Sequence, residues 1–300
     1  MIELTYGNRT ENLLEKLSRD LNQKNNPLDL LQPVELIIFN RNMETWLRLG
    51  LAQKHGVAAN LRFRRLERFF GDLVRQTCPT LYSLTDLDII EGAVIAALEK
   101  DILLAKPELQ PVHSYLYENC NESAVITDHQ GRVKKDRLAR QSVELKRVQL
   151  ASRLAYLFQE YTYSRPEMTT AWRGDSRFGA QSEKLMGKIE NEPNFSYSAA
   201  WQKALWQVVF GSDGILARHP PTEGGRWATL DELLLDDQLF ERFASAGLPT
   251  IHIFGVSYVA RIFQMLFARL GEAGNLKLYI LNPCAEFWED METHRELFKR

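Results

Sequence analysis

Residues 34–63 read VELIIFNRNMETWLRLGLAQKHGVAANLRF, and their pattern changes twice. VELIIFN (34–40) is an unbroken, β-branched apolar run, the type buried on both faces in the middle of a parallel sheet. The stretch after it has the period of a helix, with Trp46, Leu47 and Leu51 on one side and Gly56 placed to cap its end. VAANLRF (57–63) returns to strand character. A strand, a helix and a strand in so short a span make a βαβ unit.

The pattern extends in both directions. IELTY (2–6) predicts a strand, and TENLLEKLSRDL a helix with Thr10 as N-cap and Leu13, Leu14 and Leu17 on one face. NQKNNPLDLLQP is a polar connection, and RRLERFFGDLVRQ predicts a third helix. This alternation implies a parallel sheet with helices packed on it. From about Ser83 helical periodicity dominates, and GSDGILARHPPTEGGRWA (211–228) is expected to be a flexible loop. TIHIFGVS (250–257), ARIFQMLFARLG and LKLYILN (276–282) then resume strand, helix and strand. The expected class is α/β, with a parallel sheet begun over 1–82, a long helical insertion over 83–246 and the sheet resumed over 247–300. EFWEDMETHRELFKR at the end reads as a helix without a Gly or Pro stop, which predicts a chain cut from something longer.

Composition narrows the function. With 45% hydrophobic and 25% charged residues and a net charge of −2, the chain reads as globular, and any nucleic-acid role must come from local basic surface. Cys78, Cys120 and Cys284 are widely spaced. That argues against a disulfide framework or a thiolate metal site, and for a reducing compartment. No apolar run approaches the roughly 18 residues that span a bilayer, and the start lacks the form of a signal peptide. The expected location is cytoplasmic, without membrane contact.

The turn YGNRTEN (6–12) between the first strand and helix has the layout of a phosphate-binding loop without its chemistry. A P-loop needs GxxxxGK[ST], with glycines to turn backbone N–H groups to the phosphates, a lysine to offset charge and a hydroxyl for magnesium. Gly7, Asn8, Arg9 and Thr10 supply one glycine and no lysine, and Glu11 would repel a triphosphate. The residues leave two readings open, an ordinary βα turn or a nucleotide site that has decayed. IHIFG (251–255) likewise carries no acid to hold magnesium at its strand end. No catalytic residue, metal site or cofactor is expected in this chain. The histidines never fall at HxxxH or HExxH spacing, and GxSxG and GxGxxG are missing. His252, inside an apolar strand, reads as a satisfied core residue, and Asp236-Asp237 as a solvated helix face.

Basic surface is the positive signal. NLRFRRLERFFGDLVR places Arg62, Arg64, Arg65 and Arg68 beside Phe63, Phe69 and Phe70 where the third strand turns into its helix. Open α/β sheets gather ligands at the carboxyl ends of their strands, and Arg41 lies at the same edge. Guanidinium groups suit phosphate oxygens, and exposed aromatics stack on bases. Alternatively the phenylalanines are core and the arginines coat a solvated helix. A second basic run, RVKKDRLARQSVELKR (132–147), contains Arg140 and Lys146.

An ordered set of segments resembles the N-terminal region of the RecC family, the gamma subunit of RecBCD (exodeoxyribonuclease V) helicase–nucleases. It comprises YGNRTENLLEKL, IIFNRNMETWLRLGLAQKHGVAANLRF, LASRLAYLFQEYTYSRPE, AAWQKALWQ, IHIFGVSYV and LYILNPCAEFWEDM. The resemblance implies a degenerate superfamily 1 helicase-like fold in which YGNRTEN stands at the lost P-loop and 83–246 is a 1B-like insertion. It implies contact with single-stranded and forked DNA through Phe39, Asn40, Arg41, Thr45, Arg64 and Arg65, with Arg140 and Lys146 behind them. It implies RecB-like and RecD-like partners that use the ATP and magnesium, and scanning of one strand for a Chi-like sequence. The family pattern is more polar at Phe39 and Thr45 and apolar at Arg65, so DNA contact is the safer implication. Two readings from other classes stand beside it, a module that only docks partner subunits and an α/β enzyme lacking any visible acid/base pair.

Overall fold

The computed structural model describes residues 1–22, 33–118, 135–174, 193–256 and 259–282. They form two compact units, one built from Met1–Thr77, Asp237–Val259 and the chain from Phe263, the other chiefly from Cys78–Asp236. Cys120, Cys284 and the closing helix expected after residue 285 lie outside the described residues. Among those described, no helix is long and apolar enough to cross a membrane.

The first unit is a five-stranded sheet in the order β1-β7-β6-β2-β3, with every neighbouring pair parallel. Its strands are β1 (Ile2–Gly7), β2 (Val34–Ile37), β3 (Leu61–Arg64), β6 (Ile251–Val256) and β7 (Leu276–Leu281). Parallel strands need crossovers, and helices supply them: α1 (Thr10–Asn22), α2 (Arg41–His55) and α3 (Leu66–Thr77). Leu13, Leu14 and Leu17 of α1 and Leu47 and Leu51 of α2 bury against Leu36, Ile38, Phe254 and Tyr279 on one face of the sheet. Each such side chain contributes about 1.5–3 kcal/mol. Helix α9 (Asp237–Ala246) sets Phe240 and Phe243 against Phe70 of α3. Helix α10 (Arg261–Ala273) covers the opposite face, where Gly271 leaves no room for a Cβ beside Ile2.

The second unit is mainly helical, with α4 (Leu87–Ala97), α5 (Lys135–Ser164), α6 (Pro166–Arg173), α7 (Pro193–Phe210) and α8 (Leu230–Leu234). Phe158, Trp172, Trp206 and Val94 anchor its core, with Trp206 stacked on Phe210 at 4.9 Å. Buried Asp231 accepts hydrogen bonds from Thr169 (2.8 Å) and Arg173 (3.2 Å), and from Thr229, which caps α8. Arg173 also lies over the Trp206 ring, so one buried carboxylate fastens α6 to α8.

Several sequence expectations need correction. Thr10 is the first helical residue of α1, a one-residue shift of the expected cap. The second strand stops at Ile37 and the third begins at Leu61, because Asn40 caps α2 and Asn60 takes a positive φ of 54°. The expected loop 211–228 contains a helical turn, Ile215–Arg218, and strand β5 (Arg226–Ala228), which pairs in parallel with β4 (Tyr82–Leu84). Two three-residue strands are too short to show an alternating pattern. Asp236 is no free surface acid, since it accepts a 2.7 Å hydrogen bond from Tyr82. His252 is a satisfied core residue, 3.0 Å from the Tyr279 hydroxyl.

A polar network stitches the amino end of the sheet. Tyr279 donates to Asp20 (2.7 Å), which also receives Lys16 (2.6 Å), while Lys16 and Lys277 pair with Glu3 at 2.9 and 3.2 Å. Burial pushes the Asp20 carboxyl up, but hydrogen bonds from Lys16 and Tyr279 and the charge of Lys277 outweigh it and hold it below its ordinary value. The Lys16 hydrogen bond, against burial, likewise holds Glu3 down. Carboxyls with depressed folded-state pKa values contribute stability above their unfolded values and lose it as pH falls through the folded ones. Stability measured by urea unfolding should therefore fall from pH 5 downward, and Asp20→Asn should flatten that fall. Tyr279→Phe should cost about 1–2 kcal/mol at pH 7 by removing one hydrogen bond from a buried carboxylate.

Candidate functional site

The chain leaves β2 for α2 on one face of the sheet and β6 for α10 on the other, and β2 and β6 are neighbours. Diverging connections open a crevice between the carboxyl ends of adjacent strands, the usual ligand position in an open α/β sheet. Phe39, Asn40 and Arg41 form the β2 side. Gly255, with φ of 76°, forms the β6 side, and a Cβ there would lie 3.1 Å from Met43 Cε. The close approach of Met43 to this glycine makes the two strand ends one surface. Sequence reading gave Met43 no role, and the irregular register between Phe254 and Val256 has no pattern in the one-dimensional chain.

Local chemistry fixes each side chain. Asn40 caps α2 by accepting from the Met43 N–H at 2.7 Å, which carries Phe39 and Arg41 outward. Phe39 is 37% exposed, and Arg41 and Thr45, one helical turn apart, are both exposed. Ile38 N–H donates to Arg64 O at 3.0 Å, so the exits of β2 and β3 adjoin and Arg65 stands beside Phe39–Arg41. Arg48, two turns along α2 from Arg41, pairs with Glu44 at 3.0 Å and lies over the Phe63 ring at 4.6 Å. Its spacing from Arg41 was the available signal.

The arginines divide into two classes. Arg41, Arg65 and Arg68 are exposed and have no ion-pair partner among the described residues. Arg62 is paired with Glu35 at 3.1 Å, and Arg64 with Asp72 at 3.1 Å and Glu35 at 3.5 Å. Arg62 sits within β3, toward its amino end, away from the crevice. Phe69 and Phe70 are buried, at 4% and 0% exposure, so they are core and only Phe39 offers a free aromatic face at this edge. Lys146 lies on α5 in the second unit; Arg140 lies on the same helix, with its side chain outside the described residues.

The first turn is also at the carboxyl edge. Gly7 O accepts from Asn282 N–H at 3.0 Å, and a Cβ on Gly7 would meet Leu13 Cδ2 at 2.8 Å. Asn8 and Arg9 are exposed, and Thr10 opens α1. Strand β7 separates β1 from β6, which puts the two strand ends roughly 10 Å apart. Among the described residues no group of His, Cys, Asp or Glu is placed to hold a metal ion. The residues directly leaving the strands are basic, amide or apolar, while Glu3, Asp20 and Glu35 lie toward the amino ends.

The two classes of arginine should separate on substitution. Arg64→Ala strands the buried Glu35 and should cost about 1–3 kcal/mol. Arg41→Ala and Arg65→Ala should stay within about 0.5 kcal/mol. Asn40→Ala should cost about 1 kcal/mol through the lost cap. Chemical denaturation of the four variants checks the ranking.

Comparison with known proteins adds the family. The chain is 25% identical to the RecBCD enzyme subunit RecC of Haemophilus influenzae, over 98% of this chain and 24% of that protein. It is 22% identical to the RecC subunit of Escherichia coli, over 100% of this chain and 23% of that protein. For the RecC subunit of Buchnera aphidicola the figures are 23% identity, 60% and 13%. The chain thus spans about a quarter of the length of the first two relatives. The sequence model of the RecC N-terminal domain matches residues 2–300. With that match running the length of a parallel α/β sheet and its helices, the chain belongs to the RecC family, as its N-terminal domain.

Proposed function

We propose that this domain guides single-stranded DNA across the carboxyl edge of its sheet, as part of a non-catalytic subunit in a RecBCD-type helicase–nuclease that processes double-strand breaks. The observation that carries the reading is the crevice between β2 and β6, where exposed Phe39 and unpaired Arg41 and Arg65 meet without a carboxylate among the strand exits. The guanidinium groups neutralise phosphates, Phe39 stacks on a base, and Asn40 and Thr45 offer hydrogen bonds along the path. Arg64 and Arg62 hold the edge in shape through Glu35 and reach the backbone second. The parallel sheet, the turn at Gly7–Thr10 without phosphate chemistry and the acid-free end of β6 support a helicase-like frame that has lost its ATPase. ATP and magnesium then belong to RecB-like and RecD-like partners. Forked DNA is the substrate of the whole assembly, and scanning for a Chi-like sequence is its finer specificity.

A second reading, a module that only docks partner subunits, draws on α5, where Leu145, Val148 and Tyr156 are 60, 45 and 57% exposed. Fluorescence anisotropy of a labelled oligothymidylate over a salt series separates the two. Under the DNA reading the slope of log K against log salt shallows by roughly 0.7 for each of Arg41→Ala and Arg65→Ala. Phe39→Ala weakens binding by about 1–3 kcal/mol with the slope unchanged. Binding indifferent to all three substitutions favours the docking module.

A further inference from the structure

β1 and β3 are the two edges of the sheet. β3 carries Arg62 and Arg64, charges that discourage further pairing. On β1, Ile2, Leu4 and Tyr6 are 41, 51 and 52% exposed on a single face. The backbone of the same residues is also free. Met1 O accepts from Leu276 N–H and Gly7 O from Asn282 N–H, so the odd-numbered residues of β1 bond to β7. Successive residues of a parallel strand turn their peptide groups to opposite sides. The N–H and C=O groups of Ile2, Leu4 and Tyr6 therefore point outward, beside three apolar side chains.

We infer that the outer edge of β1 receives a further parallel strand, supplied by polypeptide C-terminal to residue 300 in the longer proteins of this family. Three observations select that occupant. The chain leaves β7 at Asn282, hydrogen-bonded to Gly7 at the carboxyl end of β1, so the exit stands at this edge. The step from β6 to β7 runs toward β1 with α10 on the Ile2 face. A right-handed connection continuing in that direction keeps to the same face and must pass beyond β1, since both flanks of β7 are taken. Finally, the chain accounts for 24% and 23% of its relatives' lengths, so the polypeptide exists. The strand would extend the ladder by the Ile2, Leu4 and Tyr6 bonds and cover their side chains. This inference is independent of the DNA reading.

Amide hydrogen exchange tests it, comparing the 300-residue chain with the full-length protein. The Leu4 and Tyr6 amides should exchange freely in the shorter chain and slow by roughly a hundredfold or more in the longer one. Leu4→Pro removes an outward N–H and no bond to β7, so it should leave the thermal midpoint of the 300-residue chain unchanged. In the full-length protein it should release Tyr6; Leu4→Lys serves the same purpose should the proline variant not fold. Free exchange in both forms overturns the inference, as does a Tyr6 amide still protected in the substituted full-length protein. Protection already present in the 300-residue chain also overturns it, and protection rising with concentration identifies a second copy as the occupant.

Discussion

The parallel pairing of β1 with β7 is the constraint on which the first unit depends. It runs from Ile2↔Leu276 to Gly7↔Leu281 and is locked by Tyr279 and Asp20, 259 positions apart in the chain. Closing a loop of that length costs about 5 kcal/mol, yet each doubling of length adds only about 0.6 kcal/mol. The sheet therefore tolerates a large second unit between β3 and β6 at little thermodynamic expense. Without the β1–β7 ladder α1 loses part of its floor, because Leu13 and Leu17 pack in the same cluster as Tyr279.

The sheet is chemically polarised. Its amino end holds a closed circuit of opposite charges, Glu3, Lys16, Asp20 and Lys277, in which every charge has a partner. Its carboxyl end leaves Arg41 and Arg65 unpaired beside Phe39. Charges satisfied internally stabilise the fold and are silent to solvent, whereas unpaired guanidinium groups keep their full field for an anionic ligand. Arg64 stands between these conditions, at the right edge yet held by Glu35 and Asp72.

The parts legible in the sequence are those with a local period. β1, β6 and β7 and helices α1 to α3 follow from apolar spacing and from caps such as Gly56, and the parallel α/β class follows from their alternation. Features made by distant partners were not legible. Glu35 neutralises Arg62 from 27 positions away on the neighbouring strand, so the basic cluster looked uniform in one dimension. Phe69 and Phe70 could be core or surface until α9, more than half the chain away, supplied Phe240 and Phe243. The short β4–β5 pair escaped because strands of three residues have no period. At the crevice Phe39, Asn40 and Arg41 were visible through their place after a strand, but the Gly255–Met43 contact that shapes it was not.

The separation of β1 from β7 also governs the order of events during synthesis. At about 5–20 residues per second, the 259 positions between Asp20 and Tyr279 take on the order of 13 to 50 seconds to emerge from the ribosome. Throughout that interval β1 and α1 lack the strand that closes their sheet, while the second unit, contiguous over Cys78–Asp236, already has its helices and core. The insertion thus completes its fold as a unit on the nascent chain before the sheet that encloses it in sequence, and the apolar face of β1 is the surface left waiting longest.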